Sequence, residues 1–104
     1  MTNSTRIDQL KKLLTIEPDD AFLNFGLAME LAKCQDYDAS LACFGRVLTI
    51  DPNYVAAHFH KAKTLVSMGD IDAAKRELQA GIAQAGATGQ THPKGEMEEM
   101  LATL

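Results

Sequence analysis

The feature that most constrains the fold is a pattern that returns every 34 residues. The segment DYDASLACF, beginning at Asp36, returns as DIDAAKREL, beginning at Asp70. Likewise, LKKLLTIEP at 10–18 returns as FGRVLTIDP at 44–52. A fixed period of this size is typical of stacked helical hairpins, in which neighbouring repeats share one continuous core. The period therefore favours a binding scaffold over a globular domain built around one catalytic pocket.

Composition and charge exclude several classes of partner. The 104 residues suit one small domain. The net charge of -4 argues against nucleic-acid binding, which requires a basic surface. No apolar run has the length of a membrane span, and MTNSTRIDQ lacks the basic and apolar parts of a signal peptide. We therefore expect a cytoplasmic protein that binds neither nucleic acid nor membrane, with Cys34 and Cys43 as free, buried or half-buried thiols.

Apolar residues recur three and four positions apart along the chain, which is helical spacing. Five helices are predicted to end at Pro18, at Gln35-Asp36, at Asp51-Pro52, at Gly69-Asp70 and at Gly86. A polar loop follows, and a sixth helix is predicted to begin around Pro93. No segment alternates like a strand, so the sequence predicts an all-α fold.

Corresponding positions of the two repeats carry similar side chains. The matched pairs are Ala28 with Ala62, Leu31 with Leu65, Ala39 with Ala73, Ser40 with Ala74, and Phe44 with Leu78. Small residues let paired helices approach to roughly 8–10 Å, and the larger apolar residues fill the space between them.

These residues resemble the tetratricopeptide repeat, whose two helices carry small residues and an aromatic at these places and a proline at the repeat end. Pro52 stands at that closing position, whereas the second repeat has Gly86 there. The family's early tryptophan is replaced by Asn24 and by His58. The resemblance covers about residues 10–86, and the chain looks like the short stand-alone bacterial members of the family.

The resemblance implies one all-α domain over 1–104, a short right-handed superhelix of stacked antiparallel helix-turn-helix repeats. The expected parts are an N-terminal half-repeat helix at 4–17, repeat 1 at 19–52, repeat 2 at 53–86 and a C-terminal capping helix at 92–104. Because one repeat cannot bury its apolar face alone, both flanking helices are expected to contribute to stability.

Function in this family lies on the concave face, formed mainly by the first helix of each repeat. By this resemblance, the inward-facing residues are Phe22, Phe25, Gly26, Met29 and Lys33 in repeat 1, and Ala56, Phe59, His60, Lys63 and Val66 in repeat 2. Phe25 and Phe59 are one period apart, which places them side by side along the predicted groove. If exposed, they form an apolar interaction patch; the alternative is that both belong to the core between neighbouring helices.

The residues of this face favour an apolar or amphipathic segment as ligand. Some members of the family grip a C-terminal carboxylate with lysines and asparagines, but Lys63 is the one such residue at the matching positions here. We therefore expect a protein or peptide partner, such as a helix laid in the groove. Self-assembly into a homodimer is the alternative. It would use the same groove, or exchange the C-terminal helix that carries Met97, Met100, Leu101 and Leu104.

No arrangement of residues predicts catalysis, a metal or a cofactor. His58 and His60 are two apart on one helix and point to nearly opposite sides, so they do not share a metal ion. The acidic pairs that begin at Asp36 and Asp70 recur at helix starts, where capping explains them. The sequence holds no phosphate loop or nucleophile motif. We therefore expect a protein that is not an enzyme, with no catalytic residues and no cofactor.

Three glycines fall inside predicted helices, where each costs about 1 kcal/mol relative to alanine. Close helix packing is expected to explain Gly45 and Gly81. Gly26 is expected to face the groove, where it lets a ligand backbone approach closely.

Overall fold

A computed structural model describes the backbone of residues 2–104 and the side chains from Thr5 onward. Its six helices are α1 Thr2–Ile16, α2 Ala21–Lys33, α3 Tyr37–Ile50, α4 Val55–Ser67, α5 Ile71–Ala87 and α6 Thr91–Thr103. No strand occurs in residues 2–104, which confirms the all-α prediction. None of the helices in this range combines the length and apolar character that crossing a bilayer requires.

The last two helices differ from the predicted boundaries. α5 continues through Gly86 to Ala87, and α6 begins at Thr91, two residues before Pro93. Glycine ends a helix most effectively when it takes a left-handed backbone conformation. That conformation belongs to Gly89, with φ of 71°, rather than to Gly86. The helix therefore ends later than the 34-residue period predicts.

The chain divides into two compact units. Unit 1 ends at Asp51 and contains α1, α2 and α3, with α2 packed against both of the others. Unit 2 begins at Pro52 and contains α4, α5 and α6. Within unit 2, α5 packs against α4 and α6, and α6 also touches α4.

The core of unit 1 depends on the small residues that the repeat pattern identified. Ala28, Ser40, Phe44 and Val47 are fully buried. The Ser40 hydroxyl donates a 2.7 Å hydrogen bond to the backbone oxygen of Ala28, so the α2–α3 contact carries a buried polar bond as well as apolar packing. The prediction that small side chains allow close helix approach is confirmed here.

The core of unit 2 brings all three of its helices together. Val55, Ala62, Leu78, Ala85 and Met97 form one buried cluster. Because Met97 comes from α6 and is fully buried, α6 covers the α4–α5 pair within unit 2.

The three helices of unit 2 approach one another closely at Gly81. A Cβ added to Gly81 would lie 2.5 Å from Met97 Sδ and 2.7 Å from His58 Cβ, so close helix packing explains this glycine, as predicted. The same prediction is wrong for Gly45, because a Cβ there would have no neighbour within 4 Å among the described residues.

The turns inside the two hairpins share one hydrogen-bond pattern. Gln35 and Gly69 follow α2 and α4 with positive φ values of 62° and 84°. In the α4–α5 turn, the amides of Gly69 and Asp70 donate to the last-turn carbonyls of α4, and the α2–α3 turn repeats both bonds. This is a Schellman cap, which glycine accommodates without strain.

The predicted capping by aspartate holds at one of its two positions. The Asp70 carboxylate accepts from the Ala73 amide at 3.1 Å, whereas Asp36 makes no side-chain cap bond. A third aspartate, Asp20, caps α2 by accepting from the Leu23 amide at 2.9 Å.

Candidate functional site

The predicted residues of α2 lie on one side of that helix at spacings of three and four. We call Phe22, Phe25, Met29 and Lys33 the α2 face. Phe22 is 70% exposed, although it is a large apolar side chain in the first turn of the helix. Lys33 is also exposed, and Met29 is half-buried. The α2 face therefore presents apolar surface at its start and a cation at its end.

Phe25 serves the core of unit 1 as well as this face. Its ring meets the buried Phe44 ring edge to face, with centroids 5.9 Å apart and planes at 63°. Aromatic pairs in this geometry contribute about 0.5–1.5 kcal/mol beyond the area that they bury. Phe25 is consequently half-buried, and replacing it would disturb the α2–α3 contact as well as any ligand contact.

Gly26 points toward α1. A Cβ built on Gly26 would lie 3.5 Å from Leu10 Cδ2, which is an ordinary van der Waals distance. Contact with α1 therefore does not require glycine at this position. Helix packing supplies no reason for its choice over alanine.

Sequence reasoning missed Glu30, a carboxylate buried beside the α2 face. Its side chain is 7% exposed, and Oε1 lies 2.8 Å from Arg6 Nε and 3.5 Å from Lys33 Nζ. Oε2 is buried, and no residue whose side chain the structure describes forms a hydrogen bond with it. The three-residue spacing of Glu30 and Lys33 was a visible signal in the sequence, but the contact with Arg6 depends on how α1 packs.

The predicted residues of α4 form a second set. We call Ala56, Phe59, Lys63 and Val66 the α4 face. Phe59 packs against the buried cluster of unit 2, and the Lys63 ammonium lies 4.2 Å from the centroid of its ring. This is a cation–π contact, worth about 0.5–1 kcal/mol at an exposed site. A ligand that reaches Phe59 must therefore contact or displace Lys63.

His60 lies next to the α4 face. Its ring is tilted against that of Phe59, with centroids 5.7 Å apart. Burial lowers the pKa of His60 and the Lys63 ammonium lowers it further, while Glu96 of α6 opposes the change. The neutral imidazole is thus favoured near neutral pH. No group of three or more metal-ligating side chains is found among the residues that the structure describes.

Two positions that depart from the aromatic expected in this kind of repeat carry polar contacts instead. Asn24 is 3% exposed and donates to the backbone oxygens of Pro18 and Asp20, at 3.1 and 2.9 Å. It thereby joins the α1–α2 turn to the first turn of α2.

His58 holds the corresponding position in unit 2 and binds a carboxylate. Its Nδ1 lies 2.5 Å from Glu77 Oε2, and Lys61 Nζ lies 3.1 Å from Glu77 Oε1. Burial by itself raises the pKa of Glu77, but the hydrogen bonds from His58 and Lys61 outweigh it and the pKa of Glu77 is lowered. This charged group links α4 to α5 and plays a structural part.

The fold defines an all-α helical repeat protein, and comparison with known proteins gives its family. The sequence profile of the tetratricopeptide repeat family matches residues 31–90, more than half of the chain. The chain belongs to the tetratricopeptide repeat family.

Relatives and solved structures agree with this assignment. A TPR repeat-containing protein of Pseudomonas aeruginosa is 29% identical over 98 residues, covering 94% of this chain and 93% of its own. The TPR2B domain of yeast Sti1, solved as a pHsp70 complex, superposes with a TM-score of 0.85 at 20% identity, over 92% of this chain and 77% of its own. PcrH, solved with the chaperone binding region of PopD, superposes with a TM-score of 0.89 at 20% identity, over 98% of this chain and 77% of its own. At such identities, the two structures show a shared fold.

Proposed function

We propose that this protein is a non-catalytic interaction module that binds an apolar or amphipathic segment of another protein through the α2 face, and that the α4 face is a second binding surface of the same kind. Helical solenoids of this kind use their extended surfaces for binding. In two proteins of the same fold, the yeast TPR2B domain and PcrH, the solved structures are complexes with other proteins or protein regions.

One observation carries the proposal, namely the exposure of Phe22. Phe22 is 70% exposed, so most of its apolar surface stays in water and contributes no hydrophobic stabilisation to the fold. Covering such a side chain is worth about 1.5–3 kcal/mol, which is a useful anchor for a short segment. Met29, two turns further along α2, extends the apolar surface on the same side.

The charges on the two faces indicate the chemistry of the segment. Lys33 ends the α2 face and Lys63 lies on the α4 face, and both are exposed. Each already has a neighbour, since Lys33 lies near Glu30 and Lys63 lies over Phe59. A partner with apolar side chains and a few acidic groups would match this pattern, with the acidic groups adding modest energy at such exposed sites.

The test is a capture experiment with charge-matched variants. The binding variant is Phe22→Glu with Lys63→Glu, which changes one exposed residue on each face. The control is Ala42→Glu with Arg76→Glu, which makes the same change in charge at exposed positions of α3 and α5. Variants at Phe25 or Phe59 are less suitable, because both rings pack against cores.

Wild type and both variants are first shown to be folded by circular dichroism and then used for affinity capture from cell lysate with quantitative mass spectrometry. A partner that is retained by the control and lost from the binding variant supports the proposal. A photo-crosslinking phenylalanine analogue at position 22 then identifies the bound segment. Equal capture by both variants contradicts the proposal, because the partner would then bind elsewhere.

A further inference from the structure

The α1 helix has an open face that includes a position buried in the equivalent helix α3. Leu13 precedes Val47 by one 34-residue period, yet Leu13 is 48% exposed and Val47 is fully buried. Ile16, on the same side of α1, is 78% exposed. In unit 1, α2 packs on α3, whereas no described helix covers Leu13 and Ile16 of α1. We call Arg6, Leu13 and Ile16 the open face of α1.

The α6 helix has a complementary open stripe. α6 and α4 are both 13 residues long, so aligning their first residues places Glu98 where α4 has Ala62. Ala62 is fully buried in unit 2, whereas Glu98 is exposed. Gly95 and Ala102 lie on the same side of α6, at spacings of three and four from Glu98. A Cβ on Gly95 would have no neighbour within 4 Å in the part of the chain that the structure describes. The α6 stripe is therefore Gly95, Glu98 and Ala102.

The charges of the two helices are opposite. α1 contains three basic residues and one acidic residue, while α6 contains three glutamates and one lysine. The alignment of these helices with the repeats also places one basic and one acidic residue opposite each other. In unit 1, Ser40 of the second helix meets Ala28 of the first helix. Arg6 of α1 corresponds to Ser40, because it lies one period earlier in the sequence. Glu98 of α6 corresponds to Ala28, because it aligns with Ala62, which lies one period after Ala28.

We propose that copies of this chain associate head to tail, with α6 of one copy packed on the open face of α1 of the next copy. The two helices then complete one further repeat, in which α6 is the first helix and α1 the second. With Arg6 opposite Glu98 and the two helices antiparallel, as α2 and α3 are, Leu13 of one copy lies beside the first turns of α6 of the other, where Gly95 permits a close approach. Arg6 of one copy pairs with Glu98 of the other.

Arg6 keeps capacity for this pairing. Its Nε binds Glu30, but its side chain is 63% exposed and a guanidinium has five N–H donors. A contact between single helices lies at the small end of protein interfaces, so association should be weak, concentration-dependent and reduced by salt. Because the two contacting surfaces differ, the arrangement allows more than two copies to join.

The first test is sedimentation velocity of the purified chain over a concentration series at low and high salt. The average mass should rise with concentration at low salt, and this rise should be smaller at high salt. A chain that stays monomeric up to the highest soluble concentration overturns the proposal.

Two variants and their mixture test the register. Glu98→Arg should weaken association about tenfold or more, because it faces Arg6 of the next copy with a like charge. Glu99→Arg makes the same charge change at the neighbouring exposed position and should associate far better. The double variant Arg6→Glu/Glu30→Gln, which avoids placing two carboxylates together at the buried Glu30 site, should also be impaired. Mixing it with Glu98→Arg should restore association, since opposite charges then meet wherever the two variants touch.

A third variant addresses the apolar part of the contact. Leu13→Asn changes a half-exposed side chain and should leave the unfolding midpoint nearly unchanged while reducing association. Association that survives both Leu13→Asn and Glu98→Arg, or that mixing fails to restore, overturns the proposal. These outcomes are independent of Phe22 and Lys63, so they are distinguishable from failure of the proposed function.

Discussion

Gly81 and Gly45 provide the most direct test of how this fold is packed. Both lie inside helices, α5 and α3, and both sequence positions invited the same explanation. A Cβ on Gly81 would meet Met97 Sδ at 2.5 Å and His58 Cβ at 2.7 Å, whereas a Cβ on Gly45 would meet no atom of the described residues within 4 Å. Substitution by alanine should therefore stabilise the protein at Gly45 and should not do so at Gly81.

The expected size follows from two contributions. Alanine in place of glycine inside a helix stabilises by about 1 kcal/mol, and this gain applies to both variants. Overpacking costs about 1–3 kcal/mol at Gly81 alone. Met97 Sδ can move because its side chain is flexible, but His58 Cβ is fixed to the α4 backbone. Gly45→Ala should thus raise the free energy of unfolding by about 1 kcal/mol relative to wild type. The free energy of unfolding of Gly81→Ala should be about 1–3 kcal/mol lower than that of Gly45→Ala.

The assay is urea unfolding followed by circular dichroism, with both variants measured beside wild type. The difference between the two variants is the informative quantity, because the helix-propensity gain cancels in it. Repeating Gly81→Ala in a Met97→Ala background should recover part of the loss, while the His58 contact keeps the rest. If Gly81→Ala stabilises the protein as much as Gly45→Ala does, the close packing of α4, α5 and α6 described here is refuted.

Three further predictions concern single contacts. Gln35→Gly should stabilise the protein by about 1 kcal/mol in thermal or urea unfolding, because glycine accepts the positive φ at this turn, and Gly69→Gln should destabilise it by a similar amount. Ser40→Ala should cost about 1 kcal/mol through loss of the bond to the Ala28 oxygen, and an unchanged urea midpoint would contradict that contribution. Folding lowers the pKa of Glu77, so its ionised carboxylate stabilises the protein at pH values above 4.5, the ordinary pKa of glutamate. This stabilisation is lost as the pH falls through the lower pKa of the folded state. Glu77→Gln should therefore be less stable than wild type at neutral pH, with the gap closing in acid; a gap independent of pH would contradict this.

Much of the local structure was predictable because the 34-residue period records it directly. Pro18 and Pro52 end their helices in any packing arrangement, since proline cannot continue the hydrogen-bond ladder. Gly69 predicts a turn because glycine readily adopts the positive φ that the end of α4 requires. The predicted end of α5 was wrong because two glycines, Gly86 and Gly89, lie near it. Gly89 rather than Gly86 takes the left-handed conformation that ends the helix.

The candidate site was less predictable, because exposure depends on neighbours that are distant in sequence. The spacing of Phe22, Phe25 and Met29 placed them on one side of α2, but only the structure separates the exposed Phe22 from Phe25, which packs on Phe44. Whether these residues bind a partner stays a proposal. Glu30 gave no sign of burial, because its environment depends on α1.

The sequence by itself determined the family, the number of helices and the small residues at the helix contacts, because these follow from periodicity and from short-range backbone chemistry. The tertiary structure decided which face of each helix is covered. Leu13 and Val47 occupy the same place in the period, yet one is half-exposed and the other buried. The physical reason is that burial is a property of the helix packed opposite, and a repeat at the edge of an array has the same local sequence pattern as one inside it without the same neighbour.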